Sequence, residues 1–228
     1  MRALIRDEVN RIREDGAPYE GAAVFIDRDA VASGYADRPD QHREDLSVYR
    51  LYTLVHRQAA GCLTVGDQPV WLVTCQVPNQ GHYSRRAADL LGVRPDGSLV
   101  VFECKVANSS DTPFVALLEG LDYLAHLMID QNFERLEQGF AEWRHGHATP
   151  TGFENVSMNL NGRHSVTVLA PQAYFDAHRL DSTGIEQDWE FLCDRHWHAA
   201  PCIVELEFAV TDYTAAPCTP LRLSTVSR

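Results

Sequence analysis

The feature that most constrains this fold is a hairpin pattern at residues 85–107. Strand-like segments at 85–93 ("RRAADLLGV") and 99–106 ("LVVFECKV") flank Asp96-Gly97, a dipeptide that favours the tight turn of a β-hairpin. Such a turn places the two segments side by side as antiparallel strands. The pattern therefore predicts a sheet and indicates which residues of the two strands face one another.

Three charged residues of this hairpin fall at positions that the pairing brings together. Because side chains alternate along a strand, Glu103 and Lys105 share one face and Cys104 points to the other. Asp89 lies seven residues before the turn and Glu103 six after it, so the two are nearly opposite. Burying two carboxylates and an ammonium is costly without a compensating cation. Hard oxygen ligands with open positions suit Mg²⁺ or Mn²⁺, so we expect the two carboxylates to share one ion.

Lys105 stands out because it is the only lysine among the 20 lysine and arginine residues of the chain. A compact ammonium can position or deprotonate a water and can stabilise charge on a phosphate. Arginine is planar, wider and always protonated, so it is a poor substitute. We therefore predict that position 105 requires lysine. The alternative is a solvent-facing ion pair with Glu103, which would contribute little to stability.

The surrounding pattern alternates helices and strands. Helical spacing predicts a helix over 44–60 that ends at Gly61. A strand is expected over 70–77 before the hairpin. After it come a helix over 114–129, with an N-cap at Asp111 or Thr112 and Pro113 in its first turn, and a short buried strand over 165–171. This order predicts an α/β (α+β) fold whose mixed sheet is flanked by helices.

Residues outside this core are expected to form extensions of one domain. Residues 1–43 read as an N-terminal helix over 1–15 followed by an extension, with a short strand in "AAVFI". Residues 172–228 read as a C-terminal helix–strand extension packed on the same domain, with helical character at 185–197. A strand is expected at 203–210, where apolar and acidic residues alternate.

The segment "RRAADLLGVRPDGSLVVFECKVA" resembles the PD-(D/E)xK nuclease superfamily, and the resemblance covers residues 44–171. It implies a restriction-endonuclease-like αβββαβ core, matching the predicted order. It also implies hydrolysis of phosphodiester bonds in nucleic acid, DNA more than RNA, by metal-activated water. On this basis Asp89 and Glu103 are ligands of Mg²⁺ or Mn²⁺, Lys105 is the catalytic lysine, and the carbonyl of Cys104 adds a metal contact.

A second aspartate competes for the metal-ligand position. Pro95-Asp96 spells the literal Pro-Asp of the superfamily name, but Asp96 lies in the Asp-Gly turn, where aspartate is common for conformational reasons. We therefore assign the ligand role to Asp89, which lies within a strand.

Other residues have both a supporting and an ordinary interpretation. Glu44 falls on the sheet-facing side of its helix, where some family members carry an acid, yet an acid also suits a helix N-terminus. Glu119 and Tyr123 are i,i+4 neighbours where the family often has a polar residue and a tyrosine, or they are ordinary helix surface. Arg85 and Arg86 would contact phosphate, or they are charges at a strand edge.

Residues 193–202, "CDRHWHAAPC", contain four residues of zinc-ligand type. They are Cys193, His196, His198 and Cys202. Their spacing matches no standard zinc finger, and the alternative is a histidine-rich helix end followed by a strand with a buried cysteine.

The net charge of the chain bears on which partners it can bind. The net charge of −12 argues against a broad basic surface for nucleic acid. It therefore favours the alternative of a catalytically inactive domain of this fold that binds nucleic acid or protein.

No apolar run approaches the roughly 18 residues of a membrane span. The six cysteines show no regular framework and residues 1–15 lack a signal-peptide core, so we expect reduced thiols, a cytoplasmic location and no membrane partner. Many nucleases of this family are dimers, so a homodimer is compatible.

Overall fold

The computed structural model describes residues 43–78, 87–178, 196–199, 202–213 and 219–220. The hairpin of the sequence analysis forms its centre, as strands β3 and β4. Within the described ranges the elements are, in chain order, α1 (Arg43–Ala59), β1 (Cys62–Val65), β2 (Gln68–Pro78), β3 (Ala87–Val93), β4 (Leu99–Cys104), α2 (Pro113–Leu127), α3 (Asp130–Arg144), β5 (Arg163–Ala170), α4 (Gln172–Ala177), β6 (His196–Ala199), β7 (Cys202–Val210) and β8 (Thr219–Pro220).

The described strands form one mixed sheet in the order β1-β2-β3-β4-β5-β7-β6, and β8 also pairs with β7. Strands β1 to β4 pair antiparallel, whereas β4, β5 and β7 run parallel to one another. Strand β6 is antiparallel to β7. The carboxyl ends of the three parallel strands therefore meet at one edge of the sheet. The expectation of a mixed sheet flanked by helices in an α/β protein is confirmed.

Helices cover both faces of this sheet, and each face has its own apolar core. On one face α1 buries Val48, Leu51 and Val55 against the even-numbered side chains of β4. On the other face α2, α3 and α4 pack against the sheet, and Trp71 and Trp143 lie at the centre of an aromatic group. Strand β4 is buried along its whole length because both layers cover it.

The hairpin adopts the predicted pairing. Its register runs from Val93 opposite Leu99 to Leu90 opposite Phe102. Gly97 has φ +83°, which a residue with a side chain rarely adopts. Asp96 accepts a hydrogen bond from the backbone N–H of Ser98 at 3.0 Å, so its carboxylate stabilises the turn, as the turn interpretation of this residue expects.

The other predicted elements of the core are present, with small shifts at their ends. The helix from residue 44 begins at Arg43, and Gly61 follows its end with φ +85°. Thr112, rather than Asp111, is the N-cap of α2, and its side chain accepts from the N–H of Val115. The strand predictions over 70–77, 165–171 and 203–210 correspond to β2, β5 and β7.

Two elements of the 44–171 core were not predicted, although the sequence carries a signal for each; beyond the core, α4 and β8 were not predicted either. Strand β1 pairs with β2 across a two-residue turn, Gly66-Asp67, which is a common hairpin dipeptide. Helix α3 lies in a stretch that reads as polar overall. It nevertheless buries apolar residues three and four apart on one side: Phe133, Leu136, Phe140 and Trp143.

The helix expected over 185–197 is wrong at its end, because His196 and Trp197 belong to strand β6. Antiparallel pairing with β7 supplies backbone hydrogen bonds there and overrides the helical spacing. The rest of that segment and the elements predicted within 1–42 lie outside the described residues. Among the helices that the structure describes, none is long and apolar enough to cross a membrane.

Gly120 sets the distance between α2 and the sheet. A Cβ atom at this position would lie 2.4 Å from Cγ1 of Val166 on β5. We predict that Gly120→Ala lowers the free energy of unfolding by about 1–3 kcal/mol, because overpacking outweighs the better helix propensity of alanine. Urea denaturation measures this. Gly146→Ala is the control, since a Cβ there meets only the carbonyl of Trp143 at 3.7 Å. Equal stability of the two variants would contradict the close approach of α2 to β5 at Gly120.

His56 links α1 to β2 and makes stability depend on pH. Its Nε2 lies 2.8 Å from the carbonyl oxygen of Leu72, to which Nε2–H donates, and its ring packs near Tyr52, Trp143 and His147. Burial lowers the pKa of His56 below its ordinary 6.5, the hydrogen bond to Leu72 opposes this, and His147 lowers it further. The unfolded chain therefore takes up a proton first as the pH falls.

We predict that His56→Gln loses less stability than the wild type as the pH falls below about 6.5, because the variant lacks the buried imidazole that resists protonation. Thermal unfolding at pH 7.5 and pH 5.5 measures the difference. Tyr52→Phe controls for general weakening of α1, because it removes a buried hydroxyl from the same helix but no group that titrates in this range. If the stability of His56→Gln changes with pH as much as that of the wild type, His56 does not cause the pH dependence.

Candidate functional site

The candidate site lies at the carboxyl end of β4, where the hairpin strands finish pairing. The last assigned pair there is Leu90 and Phe102, so Asp89 and Glu103 occupy the next position across the ladder. Asp89 is 6% exposed, Glu103 4% and Lys105 3%. The structure therefore brings the three charged residues to one place and buries them, which excludes the interpretation of Glu103 and Lys105 as a solvent-facing pair.

Asp89 is anchored to the neighbouring strand. Its Oδ2 accepts a hydrogen bond of 2.8 Å from the backbone N–H of Cys104. The side chain of Cys104 is buried in the core beneath α1, on the face opposite to Glu103, as the alternation of the strand requires. The metal contact expected from the Cys104 carbonyl remains a prediction.

Lys105 is surrounded by carboxylates from four parts of the chain. Its Nζ donates to Oε1 of Glu103 at 2.8 Å and to Oε2 of Glu119 at 3.2 Å. Oδ2 of Asp111 lies 3.6 Å from Nζ, and Oε1 of Glu44 lies 3.9 Å from it. Helices α1 and α2, strand β4 and the loop between β4 and α2 therefore converge on one ammonium.

These contacts show which of the candidate supporting residues lie at Lys105. Glu44 and Glu119 both contact Lys105, and their supporting role in the site remains a prediction. Asp111 was considered only as a helix cap, although its place in the polar loop directly after β4 was a signal that it lies near the strand end. The hydroxyl of Tyr174 on α4 donates to the backbone carbonyl of Asp111 at 2.9 Å and holds this loop in place.

The crowding of charge shifts the pKa values of the central pair. Burial raises the pKa of Glu103 well above its usual range and Asp89 raises it further, while Lys105 partly opposes both. Burial alone would lower the pKa of Lys105, but Glu103, Glu44 and Glu119 together raise it above its ordinary value. Lys105 is therefore an ammonium ion at neutral pH.

Tyr123 on α2 lies close to the same charges. Burial raises the pKa of its phenol, and the carboxylates of Glu103 and Glu119 raise it further. Tyr123 is consequently a neutral phenol that can donate a hydrogen bond at the site.

One carboxylate oxygen indicates that a cation fits here. Oε2 of Glu103 is buried and has no hydrogen-bond partner among the residues that the structure describes. A buried carboxylate oxygen without a partner is unfavourable, and a hard divalent cation such as Mg²⁺ or Mn²⁺ removes the deficit. In the described part of the chain no group of three or more His, Cys, Asp or Glu side chains is arranged to hold a metal. A Mg²⁺ site, however, commonly uses only one or two carboxylates.

The remaining candidates fall at or beyond the limits of the described residues. Arg85, Arg86 and Cys193 lie outside them. His196 and His198 lie on β6, in a strand rather than at the end of a helix, so that part of the alternative interpretation is wrong. Cys202 begins β7, opposite Ala199. The zinc hypothesis for these four residues remains a prediction.

Known proteins offer no further guide to this site. No protein-family model matches the chain, and neither the curated proteins nor the solved structures include a significant match. The chemistry has to be inferred from the buried group of Asp89, Glu103 and Lys105 and from the carboxylates around it.

Proposed function

We propose that this protein is a metal-dependent nuclease that hydrolyses phosphodiester bonds in nucleic acid, DNA more than RNA. One observation carries the proposal. A buried carboxylate pair, Asp89 and Glu103, lies beside the ammonium of Lys105, and Oε2 of Glu103 has no hydrogen-bond partner in the described structure. Two hard oxygen ligands and an adjacent cation are the groups that metal-assisted attack of water on a phosphate requires.

Each residue has a distinct role in this proposal. Asp89 and Glu103 would hold the metal, and the N–H of Cys104 fixes the orientation of Asp89. When bound, Mg²⁺ or Mn²⁺ supplies Lewis-acid chemistry that polarises a phosphoryl oxygen and makes water a better nucleophile. Lys105 acts as a fixed cation that stabilises the negative charge developing on the phosphate. Its carboxylate neighbours keep it protonated, so a role as a base is disfavoured.

The fold supports a restriction-endonuclease-like core. From α1 to β5 the described elements follow the αβββαβ order that the resemblance implies, with β1 and α3 as additions. Helices α1 and α2 lie on opposite faces of the sheet, and each contributes one glutamate to the site. Arg85 and Arg86, which precede the Asp89 strand, are proposed to contact the phosphate backbone.

A catalytically inactive domain of the same fold is the second candidate. The observation that favours it is the set of carboxylates around Lys105, which already balances its charge without a metal. The net charge of −12 also opposes binding to a polyanion, so it favours the form of this alternative that binds protein. In this alternative the buried charges serve stability, and the protein binds nucleic acid or protein without cleaving it.

Cleavage of supercoiled plasmid and of single-stranded DNA and RNA separates the two candidates. We predict cleavage in the presence of Mg²⁺ or Mn²⁺ and none in excess EDTA. Lys105→Ala should lower kcat by about 100-fold or more, because it removes a preorganised charge from the reacting phosphate. Lys105→Arg should fail to restore activity, since the guanidinium is wider and planar.

Arg163→Ala is the matched control for the loss of one positive charge. Arg163 is exposed, and its Nε lies 3.8 Å from a carboxylate oxygen of Glu205. Arg163 begins β5, whereas Leu169, whose carbonyl accepts from the N–H of Lys105, lies near the other end of that strand. This variant should keep wild-type cleavage. If the pure protein cuts none of the substrates with either metal, or if Lys105→Ala is as active as Arg163→Ala, the nuclease proposal fails.

A further inference from the structure

Tyr213, in the loop after β7, reaches the backbone of the candidate site. It is 6% exposed, and its hydroxyl oxygen lies 2.9 Å from the carbonyl oxygen of Lys105 and 2.7 Å from that of Leu169. We propose that Tyr213 is a positioning residue that fixes the backbone of Lys105 and thereby aims its ammonium. The consequence for cleavage rests on the function proposed above; the contact with the backbone does not.

The hydrogen bonds around Lys105 explain why this support matters. Strand β4 ends at Cys104, so Lys105 is the first residue beyond it. Its N–H donates to the carbonyl of Leu169 at 2.9 Å, and the Tyr213 hydroxyl lies within hydrogen-bond distance of that carbonyl and of the Lys105 carbonyl. A hydroxyl has one proton, so Tyr213 donates to one of these two carbonyls at a time, and through both of them it links the ends of β4 and β5.

Tyr213 is itself held in an unusual conformation. Its φ is +58°, a region that residues with a side chain seldom occupy and that costs about 1–2 kcal/mol. Its N–H donates to Oγ1 of Thr211 at 3.0 Å, and the N–H of Thr211 donates to the carbonyl of Ala170 at 2.9 Å. Such backbone strain persists only where the surrounding contacts compensate for it, here contacts with the ends of β4 and β5.

The expected consequence is catalytic rather than merely structural. The Lys105 ammonium lies between 2.8 and 3.9 Å from four carboxylates, so a small movement of its backbone changes which of them it contacts. Misplacement of a catalytic group by about 1 Å can lower a rate by about 100-fold. A residue beyond the 44–171 core thus becomes part of the active unit, which gives the C-terminal extension a role.

Tyr213→Phe tests the proposal because it removes only the hydroxyl. We expect kcat for metal-dependent cleavage to fall about tenfold while KM changes less than twofold, since the hydroxyl makes no contact with substrate in this account. Tyr52→Phe is the matched control. Tyr52 is also buried and donates to a backbone carbonyl, that of Val73 at 3.1 Å, but it does not contact Lys105. It should keep the wild-type kcat.

A second measurement does not depend on activity. Because Lys105 is the only lysine, lysine labelled with ¹³C and ¹⁵N gives one amide and one carbonyl signal by NMR. In Tyr213→Phe we expect the carbonyl signal to shift and the amide to exchange with solvent about fivefold faster, because one net hydrogen bond is lost. In Tyr52→Phe both should match the wild type.

The two measurements separate the possible failures. If the Lys105 carbonyl and amide in Tyr213→Phe match the wild type, the positioning proposal is overturned whatever the activity. If the signals change but kcat equals that of Tyr52→Phe, Tyr213 braces the backbone without serving catalysis, and the proposal is likewise overturned. If the wild-type protein cleaves no nucleic acid, the proposed function fails, and the NMR signals alone decide whether Tyr213 positions Lys105.

Discussion

The burial of Asp89, Glu103 and Lys105 at the end of one strand is the constraint on which the site depends. Isolated buried charges are unfavourable, so they persist only when the fold supplies partners for them. Here α1 and α2 approach from opposite faces of the sheet, and each contributes a glutamate to Lys105. The sheet fixes the distance between the two carboxylates, because Asp89 and Glu103 continue the antiparallel register of β3 and β4.

The sequence predicted this arrangement because hairpins follow local rules. The Asp-Gly turn set the register, and strand alternation put Lys105 beside Glu103 and turned Cys104 to the opposite face. Helix α2 was predictable for the same reason, since its cap, proline and apolar spacing all lie within a few residues. Glu44 and Glu119 were candidates because the family resemblance implies polar residues on these two helices and because both lie near the apolar stripes of the helices.

What the sequence did not reveal depends on contacts between distant segments. Tyr213 joins the site only because the chain returns to it from beyond β7, and no local pattern marks it. Glu205 and Glu207 read as the exposed side of an alternating strand, yet Arg94 at the hairpin turn pairs with both, at 3.2 and 3.3 Å. Strand β6 replaced the expected helix end because pairing with β7 outweighed the local spacing.

The central claim is that Asp89 and Glu103 form a metal site, and titration of the protein with Mn²⁺ by calorimetry tests it most directly. The account predicts one Mn²⁺ per chain, with binding at least tenfold weaker in Asp89→Asn and Glu103→Gln, a loss of about 1.4 kcal/mol or more. Asp96→Asn is the control, since an asparagine oxygen can still accept from Ser98 in the turn. Wild-type affinity in Glu103→Gln, or a loss of binding in Asp96→Asn alone, would contradict the assignment.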